Sequence, residues 1–236
     1  MRLRKVLVCG LTLLFLCMNS VLPAKADANA KWNAARGTAT VDGAKDDVYA
    51  NAEVMKLDAV SDGESDGTLA VAYAVYDDSA FYILVEVTDS VLDDTNGNVW
   101  EKDSVEFRFQ NKDQNTQAYA VSETIDGTYA SEAKVIKTDV GYNVEYKVPY
   151  ECKDGESVLF TLQVNASSNG KRNCTLHTND DLKDAWQDNS VFESLVFNPD
   201  TLPQTGTFDA YIFYGIGTAL VGVGTVLKNK KKINKQ

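Results

Sequence analysis

Alternating apolar and polar positions dominate the central part of the chain. The stretches at 68–76 and 81–87 alternate and are rich in β-branched and aromatic residues, and the polar residues between them predict a hairpin turn. No helical spacing of useful length is visible. Many short strands with regular turn signals predict an all-β fold, an antiparallel β-sandwich of immunoglobulin-like or jelly-roll-like architecture. Further strands are predicted at 104–110, 117–122, 128–138, 142–148, 158–164 and 191–197.

The first 26 residues have the pattern of a secretory signal peptide. Arg2, Arg4 and Lys5 precede an apolar run at 6–16, and an A-x-A site ends at Ala26. The apolar run is too short for a bilayer, which needs about 20 residues. Leu16 precedes Cys17 where a lipoprotein signal requires a small residue, so we expect cleavage after Ala26 and export.

The C-terminal end carries a second targeting pattern. Leu202, Pro203, Gln204, Thr205 and Gly206 form an LPxTG pentapeptide, followed by an apolar segment at 211–227 and then by five lysines. The alternative is a plain membrane anchor with a chance pentapeptide, in which the lysines would stay cytoplasmic. The order of the three parts resembles the sorting signal of sortase substrates.

That resemblance implies covalent attachment to the wall of a Gram-positive bacterium. A sortase would attack the carbonyl of Thr205 and transfer the protein to a peptidoglycan precursor, so Thr205 would become the mature C-terminus. The membrane would then hold only a sorting intermediate. We expect a signal peptide at 1–26, one binding domain at 27–198, a tether with the LPQTG motif at 199–206, and a transmembrane helix with a basic tail at 207–236.

The expected mature chain, residues 27–205, is strongly acidic. The whole chain has 23 basic and 34 acidic residues, and removing four basic residues with the signal peptide and five lysines and Asp209 with the tail leaves 14 and 33, a net charge of −19. Such a surface repels phosphate polyanions, so nucleic acid is not an expected partner. The length suits one domain, and nothing in the pattern indicates the oligomeric state.

Few residues suit catalysis or cofactor binding. The chain has one histidine, His177, which we interpret as a surface loop residue, and it has no nucleophile elbow. No organic cofactor is expected, since haem would have to rely on His177 and Met55. Cys152 and Cys174 survive processing, and the sequence leaves a disulfide and two buried free thiols equally open. Binding is therefore favoured over catalysis.

Two tryptophans lie in polar, turn-rich stretches directly before predicted strands. Trp100 and Trp186 could each offer an apolar face for stacking on a sugar ring, with neighbouring polar groups for its hydroxyls. The alternative is that both rings fill the ends of the sandwich core.

Several motifs resemble family 9 carbohydrate-binding modules, which accompany xylanases and related enzymes. They are VDG at 41–43 with DDVY at 46–49, the turn at 76–82, VTD at 87–89, NVWEKDSVE at 98–106, LQVN at 162–165 and the run at 186–192. The resemblance implies a β-sandwich in which Trp100 and Trp186 clamp a terminal sugar while Glu106 and Gln163 bind its hydroxyls. The chain departs from the pattern at Tyr119, where an arginine is expected, and at Lys183, where an asparagine is expected.

A loop of oxygen-bearing side chains is the candidate for calcium. The resemblance implies bound Ca²⁺, which prefers oxygen ligands, although an acidic solvated face would give the same pattern. The candidate ligands are Asp89, Asp93, Asp94 and Asn96.

The favoured function is that of a wall-anchored, non-catalytic protein that binds glucan- or xylan-type glycans and is associated with their breakdown by glycoside hydrolases. The alternative is an adhesive or structural sandwich that contacts proteins and has its tryptophans in the core.

Overall fold

The structure is a computed structural model that describes residues 31–127 and 132–200. The prediction of an all-β fold is confirmed. Four short 3-10 helices span Asp47–Asn51, Val99–Glu101, Asp180–Asp184 and Asn189–Val191 in the described ranges. The strands are β1 (Lys31–Arg36), β2 (Met55–Leu57), β3 (Ala59–Gly63), β4 (Leu69–Tyr76), β5 (Ala80–Thr88), β6 (Ser104–Phe109), β7 (Asn115–Tyr119), β8 (Ile125–Gly127), β9 (Glu132–Thr138), β10 (Gly141–Pro149), β11 (Ser157–Ser168), β12 (Lys171–His177) and β13 (Glu193–Phe197).

The strands form two sheets that share β1. The first sheet runs β8-β7-β6-β11-β13-β1, with β12 paired to β11 and β3 paired to β12; the second runs β1-β4-β5-β10-β9, with β2 on β4. The prediction of a purely antiparallel sandwich is wrong at β1, which pairs in parallel with β13 and with β4. The reason is that β1 crosses over: residues 31–34 belong to the first sheet and residues 35–36 to the second.

The main core lies between the sheets, on the apolar side of each alternating strand. Phe107 of the first sheet contacts Phe81 and Tyr146 of the second, with ring centroids 6.3 and 5.5 Å apart. Tyr146 also donates a hydrogen bond to the carbonyl of Val105, 2.9 Å away, so its polar end is satisfied inside the core.

A smaller core covers the outer face of the second sheet. Here Tyr73, Val75, Tyr82 and Leu84 are covered by the segment at 39–52. Within that segment Tyr49 is buried, and its hydroxyl donates to the buried carboxylate of Glu145 at 2.8 Å.

The VDG motif positions this covering segment. The N–H groups of Asp42 and Gly43 donate to the same Glu145 oxygen at 3.0 and 2.9 Å. Gly43 has φ +83°, and a Cβ there would lie 3.0 Å from the Ile136 side chain. The position therefore favours glycine on both counts.

Eight of the strands were predicted from alternation, with ends that differ by a few residues from those in the structure. The predicted hairpin is present as β4 and β5, and Asp77 holds its turn by accepting from the N–H groups of Ser79 and Ala80. The first residues of the stretch predicted at 128–138 lie outside the described residues. The prediction missed β1, β2, β3, β8 and β12.

Of the two alternatives left open for the cysteines, the structure shows the free thiols. Cys152 and Cys174 are buried free thiols. Burial raises the pKa of both thiols, with a further increase from Asp77 for Cys152 and from Asp66 for Cys174. Those two carboxylates flank opposite ends of the eight-residue β4, a distance of about 26 Å at roughly 3.3 Å per residue. A disulfide needs Cα atoms within about 7 Å.

The predicted signal peptide, LPQTG motif and transmembrane segment lie outside the described residues. Across residues 31–127 and 132–200, no helix is long and apolar enough to span a membrane.

Candidate functional site

An open cleft of about 780 Å³ lies on the outer face of the first sheet. All four residues predicted to bind sugar line it: Trp100, Trp186, Glu106 and Gln163. The remaining lining residues are Ser61, Asp62, Val99, Arg108, Asn115, Gln117, Arg172, Thr175, Lys183 and Asp184. The structure thus gathers into one site the four predicted residues, which are up to 86 positions apart in the sequence, from Trp100 to Trp186.

The floor of the cleft is a row of polar side chains across three strands. Glu106 on β6 lies directly opposite Gln163 on β11 and Gln117 on β7. Directly paired residues of an antiparallel sheet project from the same face, so these three side chains point outward together. Their neighbours Val105 and Phe107 point into the core.

Glu106 is the centre of a hydrogen-bond network. Its carboxylate accepts from Asn165 Nδ2 at 3.0 Å and pairs with Arg108 at 2.8 Å. Gln163 Nε2 donates at 3.4 Å to the same Glu106 oxygen as Asn165, and at 2.7 Å to Asn165 Oδ1. These bonds fix the orientation of Glu106, which is 5 % exposed at the bottom of the cleft.

The turn that carries Trp100 is held by side chains from three strands. Successive carbonyls of the Val99–Glu101 helix accept from Gln117 Nε2 at 3.1 Å, Arg172 Nη1 at 3.2 Å and Ser167 Oγ at 2.7 Å. The indole itself is 52 % exposed. The backbone is fixed while the ring remains accessible.

The second tryptophan follows the helix Asp180–Asp184. Leu182 and Ala185 are buried beneath it and anchor this segment to the domain. Asn179 caps the helix by accepting from the N–H of Asp181 at 3.0 Å, and its amide donates to Glu193 at 3.0 Å. Trp186 is 59 % exposed.

The two departures from the family pattern take different roles. Lys183 lines the cleft. Tyr119 does not line it; its hydroxyl donates to Gln117 Oε1 at 3.3 Å, next to the floor on the same strand.

The interpretation of His177 as a surface loop residue is wrong. The residue ends β12 and is 1 % exposed, with Nδ1 2.7 Å from Ser61 Oγ. Burial, together with the nearby charges of Arg108 and Arg172, lowers the pKa of its imidazole to about 3. The error follows from missing β12, a strand whose residues are mainly polar.

The candidate calcium ligands are engaged with the protein. Asp93 accepts from Thr95 N at 2.8 Å and from Gly170 N at 2.6 Å, and Asn96 donates to the carbonyl of Gly170. In the part of the chain that the structure describes, no group of three or more His, Cys, Asp or Glu side chains could hold a metal ion. Calcium binding stays a prediction, and the four predicted ligands do not form a ready cluster.

Sequence reasoning missed most of the polar lining, including Arg108, Gln117 and Arg172. For the first two a signal existed, because they occupy alternate, outward positions of predicted strands beside a predicted site residue. For Arg172 none did, since its strand was not predicted.

A family model described as "Carbohydrate family 9 binding domain-like" matches residues 41–198. Exoglucanase XynX of Acetivibrio thermocellus is 32 % identical over 185 residues, which cover 68 % of this chain and 16 % of that protein. Endo-1,4-beta-xylanase A of Thermoanaerobacterium saccharolyticum is 33 % identical over 178 residues, 68 % of this chain and 15 % of that enzyme. The chain thus spans about a sixth of the length of these relatives.

Two solved structures of a family 9 module from Caldicellulosiruptor kristjanssonii are similar. The complex with glucose has a TM-score of 0.64 at 25 % identity, covering 71 % of this chain and 95 % of that one. The complex with cellotriose has a TM-score of 0.64 at 24 % identity, with coverage of 75 % and 98 %, and it supports the fold.

Proposed function

Because the chain belongs to family 9 of the carbohydrate-binding modules, whose domains bind sugars without catalysis, we propose that its cleft binds glucan- or xylan-type glycans between Trp100 and Trp186. The observation that supports this most is that both indoles, half exposed, open onto the same cleft as Glu106 and Gln163. The relatives named as exoglucanase and xylanase, and the neighbours bound to glucose and cellotriose, support the ligand class.

The chemistry of the cleft suits a pyranose. A sugar ring offers apolar C–H faces to stacked indoles and a rim of hydroxyls to hydrogen-bonding groups. The two carboxylate oxygens of Glu106 can accept from sugar hydroxyls, and the amides of Gln163 and Gln117 can donate and accept. Held by the floor network, these groups lose little freedom when a sugar binds.

The alternative of a protein-contacting sandwich required the tryptophans to fill the core. Trp100 and Trp186 are 52 % and 59 % exposed, so that premise is not met.

We further propose that the exported protein is fixed to the cell wall through Thr205. The targeting patterns at both ends support this, and glycans captured there would stay close to glycoside hydrolases that act near the cell. Mass spectrometry of protein released by a muramidase should find Thr205 linked to peptidoglycan. Release of the intact chain by detergent alone would contradict wall attachment.

Calorimetric titration with cello- and xylo-oligosaccharides tests the binding site. Trp100→Ala and Trp186→Ala should each weaken binding by about 30-fold or more, as is usual for a central aromatic contact worth at least ~2 kcal/mol. Val140→Ala is the matched control, since Val140 is exposed at 62 % and does not line the cleft. Unchanged affinity in both tryptophan variants would refute the clamp.

A further inference from the structure

The cleft has a balanced charge in a domain that is otherwise strongly acidic. Arg108, Arg172 and Lys183 line it together with Asp62, Glu106 and Asp184, so the lining is balanced. The expected mature chain carries 14 basic against 33 acidic residues. An anionic ligand approaching most of this surface would be repelled, and the cleft is a place where that repulsion is offset.

The two arginines are already committed to the protein. Arg108 pairs with Glu106 at 2.8 Å and donates to the carbonyl of Lys112 at 2.7 Å. Arg172 pairs with Asp62 at 3.0 Å and donates to the carbonyl of Trp100 at 3.2 Å. Their charges are largely neutralised, and their main effect is to shape the floor and the Trp100 turn.

Lys183 differs from both. Among the described residues it has no hydrogen-bond partner and no carboxylate within ion-pair distance. Asp184, the acidic residue beside it, accepts from Gln187 Nε2 at 3.2 Å instead. Lys183 is exposed, lines the cleft and lies three residues before Trp186, so an uncommitted ammonium group stands beside one of the stacking surfaces.

We propose that Lys183 makes this cleft selective for glycans that carry a uronic acid, with the ammonium group binding the sugar carboxylate while the ring or its neighbour stacks on the tryptophans. The inference rests on the proposed sugar-binding function and adds the charge of the ligand to it. An ammonium group is a compact charge with three donors, so it can reach a carboxylate from several directions. A neutral glycan has no charged group, so the ammonium group gains little by exchanging its bound water for such a ligand.

The test compares two forms of one oligosaccharide that differ in the carboxylate charge: xylotriose with one glucuronosyl side group, and the methyl ester of the same compound. Calorimetric titration of the wild type should show the acidic ligand bound about two- to fivefold more tightly, the range for a solvent-exposed ion pair. Lys183→Gln should remove that preference, and Lys183→Glu should reverse it. Lys171→Gln is the matched control, an exposed lysine outside the cleft lining.

The outcomes separate the two levels of the proposal. If the wild type binds both ligands equally, or if Lys183→Gln keeps the preference, the assignment to a uronic acid is wrong and sugar binding stands. If neither xylan ligand nor any cello-oligosaccharide binds, the proposed function itself fails and the inference fails with it.

Discussion

The two outer faces of the sandwich are both built from β-strands, but one is apolar and covered while the other is polar and open. On the second sheet, Tyr73 and Leu84 lie under the segment that contains Tyr49, and this face forms a second small core. On the first sheet, the corresponding outward positions are polar, as at Glu106 and Gln163, and they open onto the cleft.

This difference means that the covered face mainly stabilises the fold and the open face mainly binds ligand. A sheet with an apolar outer face must be covered by another layer, and the segment after β1 supplies that layer. A sheet with polar outward residues can stay open, provided that its polar groups bond to one another, as the network around Glu106 does. Substitutions on the covered face should therefore change stability, and those on the open face should change affinity.

The largest expected effect lies on the covered face. Tyr49→Ala should lower the free energy of unfolding by about 3–5 kcal/mol, as is typical when a buried aromatic ring is removed. Denaturant unfolding measures this, and the affinity for sugar should stay unchanged in the folded fraction. Tyr49→Phe, which keeps the ring and loses the bond to Glu145, should cost less, about 1–3 kcal/mol.

The matched variant on the open face is Trp100→Ala. Its unfolding free energy should stay within about 0.5 kcal/mol of the wild type, since the indole is half exposed. A loss as large as that of Tyr49→Ala would show that the ring supports the fold, and the division between the faces would be wrong.

Glu193, which bonds to Asn179 at the start of the Trp186 segment, should make the stability of the domain depend on pH. Burial raises the pKa of Glu193 to about 7, against donation from Thr178 and Asn179. In the unfolded chain the carboxyl loses its proton near pH 4.3, so between about pH 4.3 and 7 unfolding releases a proton. The contribution of this group is therefore fully present below pH 4.3 and is lost as pH rises through 7, by about 4 kcal/mol. Unfolding at several pH values measures it.

Glu193→Gln is the control for this dependence. It keeps the size of the side chain and cannot ionise, so the fall in stability between pH 4.3 and 7 should shrink relative to the wild type. An unchanged profile would show that other groups cause the pH dependence.

Most strands and several site residues could be predicted because they depend on patterns within short stretches of the sequence. Alternation identified β4, β5, β6 and β11, and it follows from side chains pointing to opposite faces of a strand. β3 and β12 were missed because their outward and inward residues do not differ enough in polarity, and β12 carries His177 and Arg172.

The order in which the strands pair within each sheet could not be predicted from the sequence. The row of Gln117, Glu106 and Gln163 depends on the order β7-β6-β11, and the crossing of β1 depends on both sheets being present. The separation of Cys152 and Cys174 is likewise a property of the packed sheets. The motif resemblance identified both tryptophans and two floor residues, while the arginines needed the coordinates.

A smaller expected effect concerns the floor of the open face. Glu106→Gln keeps the shape and removes the charge, so bonds from sugar hydroxyls should weaken by about 1.5–3 kcal/mol, roughly a 10- to 100-fold loss of affinity. Glu86→Gln is the control, an acidic residue paired with Lys45 away from the cleft. Titration with cellotriose measures both, and equal affinities for the two variants would exclude a role for the Glu106 charge.

The smallest expected effect concerns calcium at the loop of Asp89, Asp93, Asp94 and Asn96. Asp93 and Asn96 already bond to Thr95 and Gly170, so the loop has partners that keep its shape without an ion. If calcium is bound, a chelator should lower the melting temperature by only about 2–4 °C, corresponding to ~1 kcal/mol for a domain of this size. Asp93→Asn should reduce that shift, whereas Asp139→Asn, exposed on another loop, should not. A melting temperature that does not respond to chelator would remove calcium from the account and leave the loop as an acidic, self-bonded edge of the binding face.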